Sequence, residues 1–202
     1  MKSAIVLLLM MAFVSSFALA QAPNTLTAQE QKEGWVLLFD GKTLNGWQAL
    51  GGANPWKVAD GAIVTDGPPT ECWLGTNQEY RDFVLRLEFQ APEKTNSGIF
   101  LRSKKEGSPA ETGYELQIWD FPPHAYFTGG FVQVAKANPH IRFKADEWNR
   151  YEVTFQGDHY IVLLNGQKVN DVNDSRSASG LIGLQSNKTL IKFRSIKVRK
   201  LN

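Results

Sequence analysis

Apolar and polar side chains alternate in short runs along most of the chain. Over residues 83–90 the sequence reads Phe-Val-Leu-Arg-Leu-Glu-Phe-Gln, so one face of this segment is apolar and the other is largely polar. A period of two residues is typical of a strand that buries one face. Beyond residue 34, no window of twelve residues keeps the apolar period of an amphipathic helix. The pattern therefore predicts an all-β domain.

About ten such runs follow one another, separated by Gly, Pro and Asn. A spacing of roughly 8–12 residues is typical of an antiparallel sandwich or barrel. Asn165-Gly166 lies between two of the runs and is the strongest short signal for a two-residue hairpin. The Pro-containing segments 66–70, 104–113 and 120–130 are predicted loops. The predicted strands are residues 35–39, 83–90, 98–102, 114–119, 131–135, 151–156, 160–164, 167–169, 181–185 and 190–198.

The last predicted strand changes its alternation part of the way along. Ile191 and Phe193 fall on one parity, whereas Ile196 and Val198 fall on the other. One extra residue in a strand restores the facing of the side chains that follow it. We therefore predict a bulge near Ser195 that keeps all four apolar side chains in the core.

Residues 1–20 have a different pattern. A positive charge at Lys2 precedes an apolar run over residues 5–20 that ends in Ala-Leu-Ala. This order of charged, apolar and small residues is typical of a secretory signal peptide. A membrane anchor is the alternative, but the run is shorter than the roughly 20 residues that a spanning helix needs. We expect cleavage after Ala20, no membrane span afterwards, and a secreted or periplasmic bacterial protein.

The expected cleavage divides the chain into three parts. Residues 1–20 are the signal peptide, residues 21–33 are a polar lead-in, and residues 34–202 are the folded domain. The Gln- and Glu-rich stretch 27–34 is compatible either with one helical turn or with a flexible lead-in.

Composition and charge exclude several classes of function. The chain has 22 Lys and Arg residues against 20 Asp and Glu residues, so its formal net charge is only +2. Such a balance gives no electrostatic case for a nucleic-acid partner or an anionic membrane surface. Cys72 is the one cysteine, which excludes an intrachain disulfide and a Cys-rich zinc site. No His pairing with metal-ligand spacing occurs, so we expect no metal and no cofactor, and nothing indicates an oligomeric state.

Seven short strings carry a resemblance to a known family over residues 34–201. They are Trp35-Val-Leu-Leu-Phe-Asp-Gly-Lys-Thr-Leu-Asn-Gly-Trp47, Asn96-Ser-Gly-Ile-Phe-Leu-Arg102, Gly113-Tyr-Glu-Leu-Gln-Ile-Trp-Asp120, Glu147-Trp-Asn-Arg-Tyr151, Leu164-Asn-Gly166, Gly180-Leu-Ile-Gly-Leu-Gln185 and Phe193-Arg-Ser-Ile-Lys-Val198. In order and content they resemble the 3-keto-disaccharide hydrolase domain family, formerly a domain of unknown function. The resemblance implies a concanavalin A-like jelly-roll sandwich of two antiparallel sheets with a sugar site on its concave face. It also implies an exported bacterial protein that acts on 3-keto-glycosides.

The predicted strand 114–119 carries the first candidate site residues. Glu115, Gln117 and Trp119 point to one face, and Leu116 and Ile118 point to the other. A carboxylate, an amide and an indole suit a sugar, because the first two form hydrogen bonds and the ring packs against a pyranose face. The alternative is a solvent-facing strand with incidental polar residues.

A 3-keto sugar makes a single base sufficient for cleavage. The carbonyl at C3 acidifies the proton on C2, and the enolate that forms on its removal expels the group at C1. Glu115 is the candidate base, and Arg102, with Asn96 and Gln117, is the candidate for binding the enolate oxygen. Arg102 is predicted on the same face as Phe100, where a plain surface salt bridge with Glu115 is the alternative.

Two further residues complete the candidate site. His124 lies in the predicted loop after the candidate strand, and its pKa range suits proton transfer to a leaving oxygen. The alternative is an exposed loop histidine. Gln185 is implied by the resemblance as a sugar-binding amide.

Asp120 suggests a different mechanism, in which two carboxylates cleave the glycosidic bond. On a regular strand it would face the core, about 16 Å from Glu115. A bulge between them would return it to the Glu115 face, where Glu115-x-Gln117-x-x-Asp120 resembles the strand of laminarinase-type glucanases. A retaining glycosidase needs its two carboxylates roughly 5–5.5 Å apart. The competing functions are therefore a 3-keto-glycoside-cleaving enzyme, a non-catalytic carbohydrate-binding module and a glucanase.

Overall fold

The computed structural model describes residues 21–52, 54–67 and 72–201, so the predicted signal peptide lies outside the described residues. Two antiparallel sheets contain most of the regular secondary structure of these residues, which confirms the predicted all-β sandwich. The strands are β1 (Val36–Leu37), β2 (Trp47–Leu50), β3 (Lys57–Ala59), β4 (Ala62–Asp66), β5 (Cys72–Thr76), β6 (Phe83–Gln90), β7 (Ser97–Ser103), β8 (Tyr114–Ile118), β9 (Asn149–Gln156), β10 (His159–Leu164), β11 (Gln167–Asn173), β12 (Leu181–Ser186) and β13 (Leu190–Lys200). The helices are α1 (Ala28–Lys32) and α2 (Pro109–Thr112). Neither of these two helices has the length or the apolar character to cross a membrane.

The two sheets differ in size and in their strand order. The larger sheet runs β11-β10-β9-β6-β13-β4-β3, with β1 also paired to β13. The smaller sheet runs β2-β5-β12-β7-β8. Apolar side chains of both sheets form one core cluster, in which Leu85 and Phe155 of the larger sheet and Leu116 of the smaller sheet are fully buried. Each such side chain contributes roughly 1.5–3 kcal/mol when it leaves water.

Both local features predicted from the sequence are present. Asn165 and Gly166 have φ values of 50° and 82°, and they connect β10 to β11 as a hairpin. Two positive φ values in succession are the mark of the turn that Asn-Gly favours. In β13 the register shifts between Arg194 and Lys197, and Ser195 has a φ of 52°. This bulge keeps the apolar side chains on both sides of it in the core, as predicted.

Four strands early in the domain, β2 to β5, were not predicted, and one predicted strand is absent. Residues 131–135 form only isolated bridges, which pair Phe131 with Leu116 and with Ala135. The segment still follows the edge of β8, because Gln117 N–H donates to the carbonyl of Gly130 at 2.9 Å.

The polar lead-in is docked on the larger sheet. Thr27 and Glu30 form a capping box that begins α1, so the helical turn is the alternative that the structure adopts. The Glu30 carboxylate is buried, and it pairs with Lys197 and lies 3.6 Å from Arg86. Residues 21–33 are therefore anchored to the sheet by a buried ion pair.

This ion pair predicts a pH-dependent contribution to stability. Burial raises the pKa of Glu30, but hydrogen bonds from Lys197 and from the Thr27 N–H outweigh it and lower the pKa from 4.5 to about 2. A lowered pKa means that the ionised group stabilises the fold above about pH 4.5 and loses this effect as the pH falls towards 2. Glu30→Gln should therefore lower the free energy of unfolding at neutral pH, and its deficit should shrink as the pH falls through this window.

Urea unfolding at a series of pH values measures this deficit. The exposed Glu33 on the same segment provides the matched control, since Glu33→Gln should change stability much less at neutral pH. A Glu30→Gln deficit that stays constant from neutral pH down to about pH 2 would contradict the prediction.

Candidate functional site

Two rows of side chains cross the face of the smaller sheet that points away from the core, here called the outer face. The strand registers define both rows. The first row, from β2 through β5, β12 and β7 to β8, is Gln48, Gly75, Gly183, Phe100 and Glu115. The second row, in the same order, is Leu50, Trp73, Gln185, Gly98 and Gln117. The sequence-based facing of Glu115 and Gln117 is therefore correct.

The polar side chains of these rows gather around Gly98. A Cβ atom placed on Gly98 would lie 3.2 Å from Cγ of Glu115 and 3.3 Å from Oε1 of Gln185. Gln117, on the same strand as Glu115, pairs with Gly98. The exposed fractions of Glu115, Gln117 and Gln185 are 8%, 2% and 2%. A carboxylate and two amides are thus held together in a site largely shielded from water.

An aromatic wall adjoins this polar cluster. The ring of Trp73 lies over Gly75 and Gly183, where any side chain would collide with it. It meets Phe100 edge-on, with ring centroids 5.7 Å apart and an interplanar angle of 80°. Sequence reasoning missed Trp73, Phe100 and the role of the glycines. A glycine inside a strand signals close approach of another group, and this signal was available at three positions of the outer face.

The segment around α2 covers part of the outer face. Ala110 packs against the cluster that Trp73, Phe100 and Leu181 form. Ser103 Oγ donates to the carbonyl of Pro109 at 2.7 Å and ties this segment to the end of β7. This cover contributes to the burial of the first row near Phe100.

Arg102 does not share the Glu115 face, and the sequence-based placement is wrong. Leu181 pairs with Ser103 while Gly183 pairs with Phe100, so β7 has one extra residue between these pairs. Arg102 has a φ of 52°, which marks this bulge. A bulge re-aims the side chain that it contains. The guanidinium therefore turns away from the outer face.

The Arg102 side chain is instead 1% exposed and forms a structural network. Its Nη2 lies 3.0 Å from Oδ1 of Asp82, and Nη1 donates to the carbonyls of Gly157 and Ser177 at 2.9 Å each. The guanidinium also lies over the ring of Tyr160, whose pKa is raised by burial. Neither the predicted enolate-binding role nor the alternative salt bridge with Glu115 fits this position.

Asp120 is a loop anchor on the core side of the strand end. Its carboxylate accepts hydrogen bonds from the N–H groups of Phe143 at 2.8 Å and Thr128 at 3.2 Å. His140 Nε2 lies 3.2 Å from the same carboxylate, a partner that the sequence did not reveal. Burial raises the pKa of the core residue Tyr151, and the charge of Asp120 raises it further. Asp120 thus faces the core, as a regular strand dictates, and the bulge towards Glu115 is absent.

The remaining candidates lie where β7 begins and the antiparallel β8 ends. Asn96 directly precedes β7 and is two residues from Gly98, so on a regular strand its side chain shares the outer face. The ring of Trp119, just after β8, stacks on His124 with centroids 3.9 Å apart. The histidine ring covers one face of the indole, so only the opposite face remains for a sugar. The backbone of Tyr126 contacts Nδ1 of His124.

The described residues contain no group of three or more His, Cys, Asp or Glu side chains that could hold a metal ion. What the outer face offers is a shielded carboxylate, amides and aromatic rings. Such a set can bind a polar, uncharged ring and move a proton.

Comparison with known proteins identifies relatives of the chain. A family model described as a 3-keto-alpha-glucoside-1,2-lyase-like domain matches residues 34–199. A 3-keto-disaccharide hydrolase from Bacteroides thetaiotaomicron is 29% identical over 103 residues, which are 46% of this chain and 36% of that protein. The chain thus aligns with about a third of the length of this curated relative.

Solved structures extend the comparison to the whole fold. A protein from Parabacteroides distasonis, assigned provisionally to the glycosyl hydrolases, is 25% identical with a TM-score of 0.80, covering 90% of this chain and 100% of that one. A carbohydrate-binding module from Bacillus subtilis is 16% identical with a TM-score of 0.58, covering 75% of this chain and 94% of that one. The second likeness concerns the fold alone.

Proposed function

The chain belongs to the 3-keto-alpha-glucoside-1,2-lyase-like domain family, and from this we propose that it is an exported enzyme that cleaves 3-keto-glycosides at C1. One observation carries the proposal: Glu115 is buried beside Gln117 and Gln185 around Gly98, which has no side chain. The signal-like pattern of residues 1–20 supports export to the periplasm or the medium.

Glu115 acts as the general base in the proposed reaction. Its carboxylate takes the proton from C2, and the electron pair of that bond forms the double bond between C1 and C2. The bond between C1 and the glycosidic oxygen breaks, and the leaving oxygen takes up a proton. The products are a 1,2-unsaturated 3-keto sugar and the released alcohol, and addition of water to the double bond gives the net hydrolysis product.

Amides rather than a cation stabilise the enolate in this proposal. Arg102 is held in the network at the other side of β7, so it cannot supply a charge to the developing oxyanion. Gln117 and Gln185 are the amide donors that flank the site, and alternation from Gly98 adds Asn96 as a third candidate donor. Hydrogen-bond donors that are already in place stabilise a developing negative charge more in a shielded site than in water.

The leaving oxygen needs a proton donor, and His124 is the candidate near the strand end. Its Nδ1 is held by the backbone of Tyr126, so the proton for the leaving group would come from Nε2. Stacking on Trp119 fixes the plane of the imidazole ring.

Incubation of the purified protein with 3-keto-trehalose and 3-keto-sucrose tests the proposal. We expect release of free hexose together with a conjugated ketone that absorbs in the ultraviolet. Unoxidised trehalose is the matched control and should stay intact, because its C2 proton is not acidified. Absence of hexose release from a panel of 3-keto-disaccharides would overturn the proposal.

Sugar binding without catalysis is the second candidate function. It is favoured by the wall of Trp73 and Phe100 next to amide side chains, which suits a sugar ring whether or not a bond is broken. Calorimetric binding of 3-keto-trehalose without any release of hexose would support this candidate. The glucanase mechanism has no comparable support, because the Asp120 carboxylate is bound to loop N–H groups on the core side.

A further inference from the structure

Strand β7 separates Glu115 from Gln185 on the outer face. Adjacent strands lie roughly 4.8 Å apart, so side chains two strands apart are normally almost 10 Å from each other. The side chain of the middle strand ordinarily fills the space between them. Glu115 pairs with Phe100 of β7, but its Cγ reaches diagonally to Gly98, which has no side chain and pairs with Gln117.

The missing side chain allows both neighbours to lean over β7. A Cβ atom on Gly98 would lie 3.2 Å from Cγ of Glu115 and 3.3 Å from Oε1 of Gln185, so these two atoms are within about 6.5 Å of each other. Gly98 does not have a positive φ, so its backbone conformation is open to any residue. Close approach of the two side chains is therefore what glycine provides here.

Charged groups around Glu115 come from the segments beside the two rows, among them residues 131–136 along the edge of β8, which contribute the exposed Lys136 and, through the carbonyl of Gln133, the guanidinium of Arg176. Among the ten residues of the two rows, Glu115 is the one ionisable side chain. The covering segment contributes Glu111 of α2, whose side chain is exposed to solvent. His124, stacked on Trp119, belongs to the loop beyond the end of β8.

We propose that Gln185 is a positioning residue for Glu115 and that Gly98 is what lets its amide act across β7. The proposal rests on the proposed function in one respect, namely that Glu115 is the base. An amide that holds the ionised carboxylate both fixes its direction and favours its charged form. Gln185 then influences the rate through Glu115 in addition to any contact with the sugar.

Gln185→Met removes the amide and keeps the size of the side chain. We expect kcat to fall by about 10- to 100-fold with little change in KM, since orientation of the base is lost. The acidic limb of the pH profile should move to higher pH by about one unit, because the charged form loses a partner. Gln185→Asn retains an amide on a shorter side chain, so its kcat and its acidic limb should lie between those of the wild type and those of Gln185→Met. Gln48→Met, on the same face but four strands away from Glu115, is the matched control and should leave the acidic limb in place.

Gly98→Ala tests the path across the strand. The added methyl group would lie 3.0 Å from the carbonyl oxygen of Leu116, 3.2 Å from Cγ of Glu115 and 3.3 Å from Oε1 of Gln185, so the two side chains must move apart to make room for it. We expect the same displacement of the acidic limb as in Gln185→Met, with the protein still folded by circular dichroism. Gly130→Ala is the matched control, because the three atoms nearest to its methyl group would be backbone atoms of Phe127, Ala135 and Ala137 at 3.0–3.2 Å.

Titration of the Glu115 side-chain carboxyl by carbon-13 NMR provides a readout that needs no activity. We expect its midpoint to rise in both Gln185→Met and Gly98→Ala relative to the wild type. If the wild type cleaves no 3-keto-disaccharide but the midpoint rises, the proposed function fails and the coupling of Gln185 to Glu115 stands. If the wild type is active but both variants keep the wild-type midpoint and acidic limb, the positioning role is overturned and the proposed function stands.

Discussion

Glu115→Gln should lower kcat/KM for a 3-keto-disaccharide by about 10²–10⁴-fold, the usual contribution of a general base. The substitution removes the proton acceptor but keeps the shape of the side chain. Glu115 is 8% exposed, so solvent water has poor access to replace it as the base. Binding of the substrate should change much less, because Gln117 and the wall of Trp73 and Phe100 still line the site. Steady-state kinetics with 3-keto-trehalose, together with calorimetric binding, measures the two effects separately.

The exposed Glu111 on the covering segment supplies the control for this prediction. Glu111→Gln removes a nearby carboxylate that points to solvent, and it should retain the wild-type rate. A wild-type rate in Glu115→Gln would mean that another group is the base. Loss of binding in parallel with the rate would instead assign Glu115 to substrate recognition.

The facing of side chains on β8 was predictable because that strand is regular. β8 pairs with β7 without a register shift from Ser97 to Leu101, so alternation assigns Glu115 and Gln117 to one face. The same reasoning failed at Arg102, where a bulge breaks the alternation. The bulge at Ser195 was predictable, since apolar residues on both sides of it change parity. After Arg102 the chain continues with polar residues, so no change of apolar parity reveals the bulge.

Contacts between distant parts of the chain explain the other features that the sequence did not predict. Trp73 lies over Gly183, and this contact depends on the order of strands in the sheet rather than on any local pattern. β5 is buried along its whole length, so it lacks the alternation that identifies a strand with one buried face. The partners of Asp120 likewise come from segments up to residue 143, beyond the reach of periodicity.

Arg102→Met should lower the free energy of unfolding by about 3–5 kcal/mol, the usual effect of removing one partner of a buried ion pair. Methionine fills part of the volume but offers no donors. The substitution leaves the carboxylate of Asp82, which is 24% exposed, without its close cation, and it leaves the carbonyls of Gly157 and Ser177 without their donor. Urea unfolding measures the loss. Catalytic turnover per folded molecule should stay near that of the wild type, since the guanidinium lies away from Glu115.

The neighbouring Arg81 provides the matched control for the loss of a guanidinium. Its side chain is 73% exposed and lies 3.8 Å from the same Asp82, so Arg81→Met should cost about 1 kcal/mol or less. Arg102→Lys should recover part of the stability, because it keeps the charge but not the planar fork that reaches several acceptors at once. If Arg102→Met is as stable as the wild type and yet loses turnover, the guanidinium acts in the reaction. The bulge at Arg102 would then serve to present a catalytic group, and the enolate would be stabilised by a cation rather than by amides alone.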